Sequence, residues 1–422
     1  MVRRTNRGHR RRWAVRGGCG LAAVVLLSGA ALPARAAAPD QHGVVQVDLG
    51  LDGAQPNGWS EASGMSADGR YALFVSLASN LVPGDTDLNY DAFVRDLRTG
   101  RIERVSLGDD GSPLGAGEAA ISGDGRYVAF SSVVPGSNSW QIFVRDRRSG
   151  HTLRVTTGAE DFESPTISWN GRYVAYASRQ GSGIYVTDRW KGTTRLITTA
   201  PDGSPADHGC DNPVISADGS TIGFRSTATN LVPPAQAPTV TGARPPRPRR
   251  TPQFYVWNAH TGRIQRASID AAGAPCEALL GASLSPDGRY ALFRTPEPNG
   301  NGNGTDPNVS HDELYVRDLW RGTTTAAGRP LPGTRTVGGS YGGTMTADSR
   351  WVVFASDADN LVPGDTNQAT DIFRRDMWTG RTERIDMAGI SWTPVSLLVN
   401  SLGTTALFNE TGKVYSRRLP TG

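Results

Sequence analysis

The densest run of potential metal ligands lies at residues 85–91. Asp85, Asp87, Asn89 and Asp91 stand at alternate positions after Asn-Leu-Val-Pro-Gly. Oxygen ligands spaced two residues apart in a loop are typical of calcium sites. The spacing recurs later in the chain, with these candidate ligands: Asp306, Asn308 and Asp312, then Asp365, Asn367 and Asp371. The pattern predicts calcium at these loops; the alternative is a Pro-Gly turn whose Asp and Asn side chains bond the nearby backbone.

A second set of carboxylates precedes the recurring Asp-Gly or Asn-Gly pairs. Glu61, Glu163 and Asp211 lie seven residues before such a pair, and Glu118 lies six before. If the fold gathers these four acids, they would concentrate cations or basic groups. The alternative is a set of solvated strand ends paired with arginines.

Catalytic motifs are sparse. Ser340 lies in a G-x-S-x-G match, which in a serine hydrolase needs a strand before it, a helix after it, and an acid and a histidine later in the chain. No histidine follows His311, so this triad cannot be completed. The remaining histidines are scattered, which gives poor support to a zinc site. The sequence therefore leans towards a protein without catalytic activity, although paired carboxylates from different segments could still do glycosidase chemistry.

Residues 1–38 predict a cleaved export signal. An arginine-rich start is followed by an apolar stretch and by the small-x-small site Ala34-Arg35-Ala36. The first 36 residues hold eight arginines and no acid, which leaves 36 basic residues against 40 acidic ones in the rest of the chain. We therefore expect a secreted, extracellular protein with no membrane span after cleavage and no affinity for nucleic acid.

The organising feature is an internal repeat. Its first signature, Ser-x-Asp-Gly-Arg-Tyr followed by an apolar run, begins at these residues: Ser66, Ser122, Ser168 and Ser285, with weaker copies at Ser216, Thr346 and Asn400. A second signature, such as Phe-Val-Arg-Asp at 93–96, follows each of the first six copies and leads into a Thr-Gly or similar turn. Tight glycine turns between alternating apolar runs predict four strands per unit. Glycine (51 residues) and proline (27 residues) are abundant, as an all-β chain with many turns requires.

These units resemble the TolB-like β-propeller repeat. The resemblance and the repeat length imply an all-β, seven-bladed propeller over residues 39–422. We predict blades at about 57–108, 114–158, 162–200, 209–270, 276–330, 338–388, and 391–419 completed by the N-terminal strand 44–50. Aromatic residues of the second strands, such as Phe74 and Phe130, should lie in the seams between blades.

Two further features concern the longer loops. Residues 233–252 are rich in proline and arginine and predict a flexible insert in the fourth blade. Cys210 and Cys276 each precede an inner strand in successive blades. In an exported chain, two such cysteines predict a disulfide across the tops of blades four and five; the alternative is two buried thiols.

The long, variable loops should all lie on one face of the propeller, and binding residues generally lie on such loops. We therefore expect a monomer that binds an unidentified extracellular protein or glycan through its loop-rich face. Calcium is the one cofactor that the sequence suggests. The alternative function is an extracellular carbohydrate-active lyase or hydrolase that uses Glu61, Glu118, Glu163 and Asp211 at the channel mouth.

Overall fold

A computed structural model describes residues 43–181, 183–233, 251–296, 312–334, 338–367, 369–385 and 397–419. The predicted signal peptide, residues 234–250 of the predicted insert, and Asp306 and Asn308 fall outside these ranges. Within these ranges, the regular elements are strands apart from one short 3-10 turn at Leu51–Gly53. No helix in the described ranges has the length and apolar character needed to cross a membrane.

In the described ranges, twenty-eight strands form seven four-stranded antiparallel sheets, which are the predicted seven blades. The strands are, in blade one, β2 (Ser60–Met65), β3 (Tyr71–Ser76), β4 (Asp91–Asp96) and β5 (Ile102–Arg104); in blade two, β6 (Ala119–Ile121), β7 (Tyr127–Val133), β8 (Trp140–Asp146) and β9 (Thr152–Arg154); in blade three, β10 (Phe162–Ile167), β11 (Tyr173–Ser178), β12 (Ile184–Asp188) and β13 (Thr193–Leu196); in blade four, β14 (Cys210–Ile215), β15 (Thr221–Ser226), β16 (Gln253–Asn258) and β17 (Ile264–Arg266). The others are, in blade five, β18 (Ser283–Leu284), β19 (Tyr290–Pro296), β20 (Asp312–Asp318) and β21 (Thr323–Ala326); in blade six, β22 (Ser340–Met345), β23 (Trp351–Ser356), β24 (Asp371–Asp376) and β25 (Thr382–Ile385); in blade seven, β26 (Leu397–Val399), β27 (Thr405–Glu410), β28 (Lys413–Arg418) and β1 (Val44–Gln46).

The N-terminal strand completes the last blade, as the sequence predicts. β1 pairs antiparallel with β28, with Val45 opposite Ser416. The N–H of Val47 extends the pairing by donating to the carbonyl of Val414 at 2.7 Å. Val47 is fully buried and packs with Phe74 of blade one. One strand therefore closes the last sheet and fills the seam to the first blade.

The recurring Asp-Gly signature builds the turn between the first and second strands. In blade one, Gly69 has a φ of +73°, a conformation that glycine adopts without steric cost. The Ser66 hydroxyl donates to Asp68 at 2.6 Å and accepts the N–H of Tyr71 at 2.9 Å. Arg70 then pairs with Asp96, the last residue of the third strand, at 2.7 Å. The two sequence signatures are therefore held together by an ion pair within the blade.

Aromatic rings fill the seams between blades. In blade one, Phe74 and Phe93 stack at 5.7 Å between ring centroids, and every blade carries such a pair on its second and third strands. The aromatic residues predicted for the seams are all fully or almost fully buried: Phe74, Phe130, Tyr176, Phe224, Phe293 and Phe354. Each apolar cluster combines residues of two neighbouring blades, so no blade is stable alone.

The two ends of the blades differ. We call the end that carries the Asp-Gly turns the turn face. We call the opposite end the loop face; there Ser60, Ser76 and Asp91 lie side by side, joined by the long connection 77–90. Each first strand begins at the loop face, so residues at its start surround the mouth of the central channel.

We expect Val47→Ala to lower the free energy of unfolding by about 1–3 kcal/mol, because it removes two buried methyl groups at the closure. Leu153→Ala in β9 is the matched control, because Leu153 lies on the outer strand of blade two and is 51% exposed. This substitution should lower the free energy of unfolding by less than about 0.5 kcal/mol. Urea unfolding measures both. Equal, small effects of the two substitutions would show that residues 44–47 are not part of the closed ring.

Candidate binding site at the channel mouth

The four acids predicted for the channel mouth occupy equivalent positions on the first strands. Each lies opposite the residue that follows the seam aromatic of the second strand: Glu61 opposite Val75, Glu118 opposite Ser131, Glu163 opposite Ala177, and Asp211 opposite Arg225. They therefore stand at one height around the loop-face end of the channel, contributed by four consecutive blades.

The different spacing of Glu118 has a structural cause. In blades one, three and four the first strand contains a β-bulge, which adds a residue between the acid and the turn. Ser164 and Asn212, next to the acids in blades three and four, take up the bulge with φ values of 52° and 49°. Blade two pairs without a register shift, so Glu118 reaches the same height with one residue fewer.

The four carboxylates differ in their partners. Glu163 pairs with Arg179 at 2.8 Å, and Asp211 binds Arg225 through two contacts of 2.8 and 3.0 Å. Glu118 accepts the N–H of Ser164 in the next blade. Among the ion pairs of the described residues, none involves Glu61 or Glu118. The uncompensated negative charge of this ring therefore lies in blades one and two.

Glu61 and Glu118 line a cavity of about 380 Å³ in the channel mouth. Its wall also includes Ser164, Asn212 and Gly281, from the next three blades. Both glutamates are exposed. The arrangement offers two accessible carboxylates and a polar wall, which suits a cationic group that enters from the loop face.

The alternating carboxylates at residues 85–91 converge as the metal prediction requires. One oxygen each of Asp85, Asp87 and Asp91 lies within 4.8 Å of the others, a spacing that could hold a metal ion. Arg104 on β5 also contacts all three, at 3.2 Å to Asp85, 2.9 Å to Asp87 and 2.6 Å to Asp91. Asn89 takes a different role, because its backbone N–H donates to Asp87. The protein thus supplies its own cation to the triad.

The other predicted metal ligands within the described residues also have partners in the chain. Asp365 lies 2.8 Å and Asp371 3.6 Å from Arg384, which occupies the same strand position in blade six as Arg104 in blade one. Asn367 donates to Asp371 at 3.0 Å. In blade five, Asp312 pairs with Arg294 at 3.3 Å. The alternating carboxylates alone did not predict these arginines, although Arg104 and Arg384 both follow the Asn-Leu-Val-Pro-Gly-Asp-Thr segment at a fixed strand position.

The predicted disulfide is not formed: Cys210 and Cys276 are free thiols. Cys210 packs between blades three and four, with Ile184 and Ala177, whereas Cys276 packs between blades four and five. The sheet of blade four therefore separates the two sulfurs. Burial raises the pKa of both thiols to about 11, so neither is a reactive thiolate at neutral pH.

Ser340 does not lie on a nucleophile elbow. It begins β22, the first strand of blade six, and is 3% exposed. Its hydroxyl donates to Ser356 on the neighbouring strand at 3.3 Å, as Ser60 pairs with Ser76 in blade one. Ser340 therefore has a packing role at the start of an inner strand.

The chain is similar to several solved structures, while no protein-family model and no curated protein matches it. An oligogalacturonate lyase in complex with manganese shares 12% sequence identity with a TM-score of 0.55, over 89% of this chain and 93% of that one. The β-propeller domain of the Trilobed protease from Pyrococcus furiosus shares 12% identity with a TM-score of 0.52, over 87% of this chain and 97% of that one. TolB from Acinetobacter baumannii shares 15% identity with a TM-score of 0.37, over 84% and 81%.

The class of protein defined by these observations is the seven-bladed β-propeller. The seven four-stranded blades agree with the propeller fold that the repeat in the sequence predicts. Identities this low show the fold alone, so the function has to be argued from the site.

The raised pKa of Asp91 makes the stability of the protein depend on pH, and this dependence tests the environment of the triad. Burial raises the pKa of Asp91 to about 6, against the lowering effects of Ser106 and Arg104. Because the folded-state pKa exceeds the unfolded value of about 3.9, the folded state favours the neutral acid, and this stabilisation is lost as the pH rises from 4 to above 6. We expect wild type to lose up to about 3 kcal/mol of unfolding free energy relative to Asp91→Asn over this range.

Urea unfolding at several pH values measures this difference. Asp146→Asn is the control, because the ion pair with Arg126 lowers the pKa of Asp146 to about 2. Its contribution is present above the unfolded-state pKa and is lost only as the pH falls towards 2, so its difference from wild type should stay nearly constant above pH 5. If the unfolding free energies of wild type and Asp91→Asn changed with pH in parallel, the raised pKa of Asp91 in the folded state would be contradicted.

Proposed function

We propose that this protein is an exported binding module that holds a basic segment of a partner protein at the mouth of its channel. The observation that carries the proposal is the pair Glu61 and Glu118. Both carboxylates are exposed, have no ion-pair partner among the residues that the structure describes, and line one cavity on the loop face. Lysine or arginine side chains would find there both negative charge and hydrogen-bond acceptors.

The neighbouring acids support this choice of ligand. Glu163 and Asp211 are each matched by an arginine, so they add polarity and hydrogen-bond acceptors more than net charge. An acidic glycan is a poor fit to the cavity, because its carboxylates would approach Glu61 and Glu118 without an intervening cation. Export rests on the arginine-rich leader and its small-x-small site in the sequence.

The second candidate is a carbohydrate-active lyase or hydrolase that uses the same acids. It is favoured by the convergence of carboxylates on one cavity, since carboxylate pairs do glycosidase chemistry, and by the structural similarity to an oligogalacturonate lyase. Turnover of a panel of neutral and acidic oligosaccharides, abolished by Glu61→Gln or Glu118→Gln, would favour this candidate over the binding module.

We expect the double variant Glu61→Gln, Glu118→Gln to bind a hexalysine peptide roughly tenfold more weakly than wild type, because it removes two charges worth about 0.5–1 kcal/mol each. Isothermal titration calorimetry at low and moderate salt measures the effect, and the wild-type affinity should fall as salt is added. A hexaglutamate peptide should not bind.

Asp52→Asn is the matched control for this experiment. It removes one carboxylate outside the channel mouth, and its φ of 57° suits asparagine as well as aspartate. This variant should bind hexalysine like wild type. Equal affinity of wild type and the double variant would rule out the channel mouth as the binding site.

We further propose that Arg104 is the resident cation of the Asp85, Asp87 and Asp91 triad, and that calcium would have to displace its guanidinium. The melting temperature of wild type should then be the same in calcium and in chelator, whereas Arg104→Gln should be destabilised in chelator and partly restored by calcium. The expected recovery is about 2–3 kcal/mol at a calcium concentration one hundred times the Kd. A wild-type melting temperature that falls on chelation would instead support the calcium site suggested by the sequence.

A further inference from the structure

One side-chain position recurs in all seven blades, directly after the third strand. Its backbone N–H donates to the carbonyl of the residue that follows the Asp-Gly turn or its equivalent. The seven residues at this position are Leu97, Arg147, Arg189, Ala259, Leu319, Met377 and Leu419. The long side chains pack in the seams with the preceding blade. Ala259, in blade four, is the one member that ends at Cβ.

The two arginines show what this position can hold. Arg147 lies over the ring of Tyr71 in the preceding blade, 4.2 Å from its centroid, and donates to the carbonyl of Gly125. Arg189 repeats this arrangement 4.8 Å from the centroid of Tyr127 and donates to the carbonyl of Gly171 at 2.5 Å. In both seams a guanidinium therefore sits between a tyrosine face and a turn carbonyl.

The seam between blades three and four has the same tyrosine face and turn glycine, but Ala259 provides no guanidinium between them. A cavity of about 310 Å³ is lined by Tyr173, Gly219 and Ala259, the counterparts of the tyrosine, the turn glycine and the arginine. Tyr173 retains the arginine of its own turn, Arg172, at 4.8 Å. Within the described residues, no donor contacts the carbonyl of Gly219. The acceptor and the aromatic face used in the other two seams are thus both present.

The cavity has the same turn carboxylates as the occupied seams, but it has an arginine where the first seam has a glutamate. Asp188 and Asp218 line it, as carboxylates of the same turns do elsewhere, and they are engaged with Arg172 and Ser216. Arg195 stands where Glu103 pairs with Arg147 in the first seam. Arg195 is exposed and lies 5.2 Å from the ring of Trp257, so water screens its charge.

The second seam shows that an acid at that position is not required. Leu153 replaces Glu103 there, and Arg189 still occupies its site on Tyr127. In this seam the guanidinium of Arg189 contacts the tyrosine face and the turn carbonyl without an acid at that strand position. A guanidinium fits this slot better than an ammonium, because it is planar, stacks on aromatic rings and is more weakly hydrated.

We propose that the cavity between blades three and four binds the guanidinium of an arginine side chain presented by a partner protein. The site is distinct from the channel mouth, since it opens between Tyr173 and His260 near the turn face. Its specificity for a guanidinium comes from the tyrosine face and the turn carbonyl, which Arg147 and Arg189 contact in the two preceding seams.

Saturation-transfer NMR with N-acetyl-arginine amide as the probe tests the proposal on the whole protein. We expect a Kd on the order of 1 mM, as suits a fragment that makes one ring contact and one or two hydrogen bonds. N-acetyl-lysine amide should bind at least fivefold more weakly. Absence of binding of the arginine probe at 10 mM, or equal binding of the two probes, would overturn the proposal.

Ala259→Arg should fill the slot with the side chain seen in the other seams. It should abolish binding of the arginine probe and raise the melting temperature by about 1–3 °C. Ala259→Met, with the residue found at the equivalent position 377, is a second way to fill the slot without added charge, and it should also abolish binding.

Thr261→Arg is the matched control, because it adds the same charge on an exposed residue of the same turn. It should retain the wild-type affinity. The Glu61→Gln, Glu118→Gln variant should retain it too, which separates this site from the channel mouth. Undiminished binding in both Ala259→Arg and Ala259→Met would place the probe elsewhere and refute the assignment.

Discussion

The pairing of β1 with β28 is the constraint on which the rest of the molecule depends. Each blade buries its two faces only against its neighbours, so a ring with one open seam would leave Phe74 on one side and Val414 on the other exposed to water. The acids at the channel mouth depend on the same closure. Glu61 and Asp211 are 150 residues apart and reach one height only because the blades are arranged around a common axis.

Much of this architecture was predictable because its signals are local. The Asp-Gly turn, the apolar run and the Arg–Asp pair each lie within a few tens of residues, and each repeats often enough to be recognised. The turn glycines have a second role that the sequence does not reveal. A Cβ on Gly171 would lie 2.2 Å from the ring of Tyr127 in the preceding blade. The glycine and tyrosine of the signature therefore serve the contact between blades as well as the turn within one.

The site was predicted less completely, because its details depend on which way side chains point. The bulges in the first strands add a residue between the acid and the turn without moving the acid along the channel axis. Blade two has no bulge, so Glu118 lies six residues before its turn and not seven. The cysteines were placed near the correct strands, but the faces of blade four to which they point follow from packing. The alternating carboxylates were recognised as a cation site, and the cation they meet in the structure, Arg104, comes from a strand 13 residues beyond Asp91.

The position of the two thiols on opposite sides of blade four has a practical consequence. Oxidation cannot join Cys210 to Cys276 while the sheet between them is intact, because Cys210 is buried on one side of blade four and Cys276 is partly buried on the other. Within the described residues, the fold therefore contains no disulfide bond between these two cysteines. A reducing cytoplasm and a solution containing dithiothreitol should serve equally well for producing and handling the intact protein.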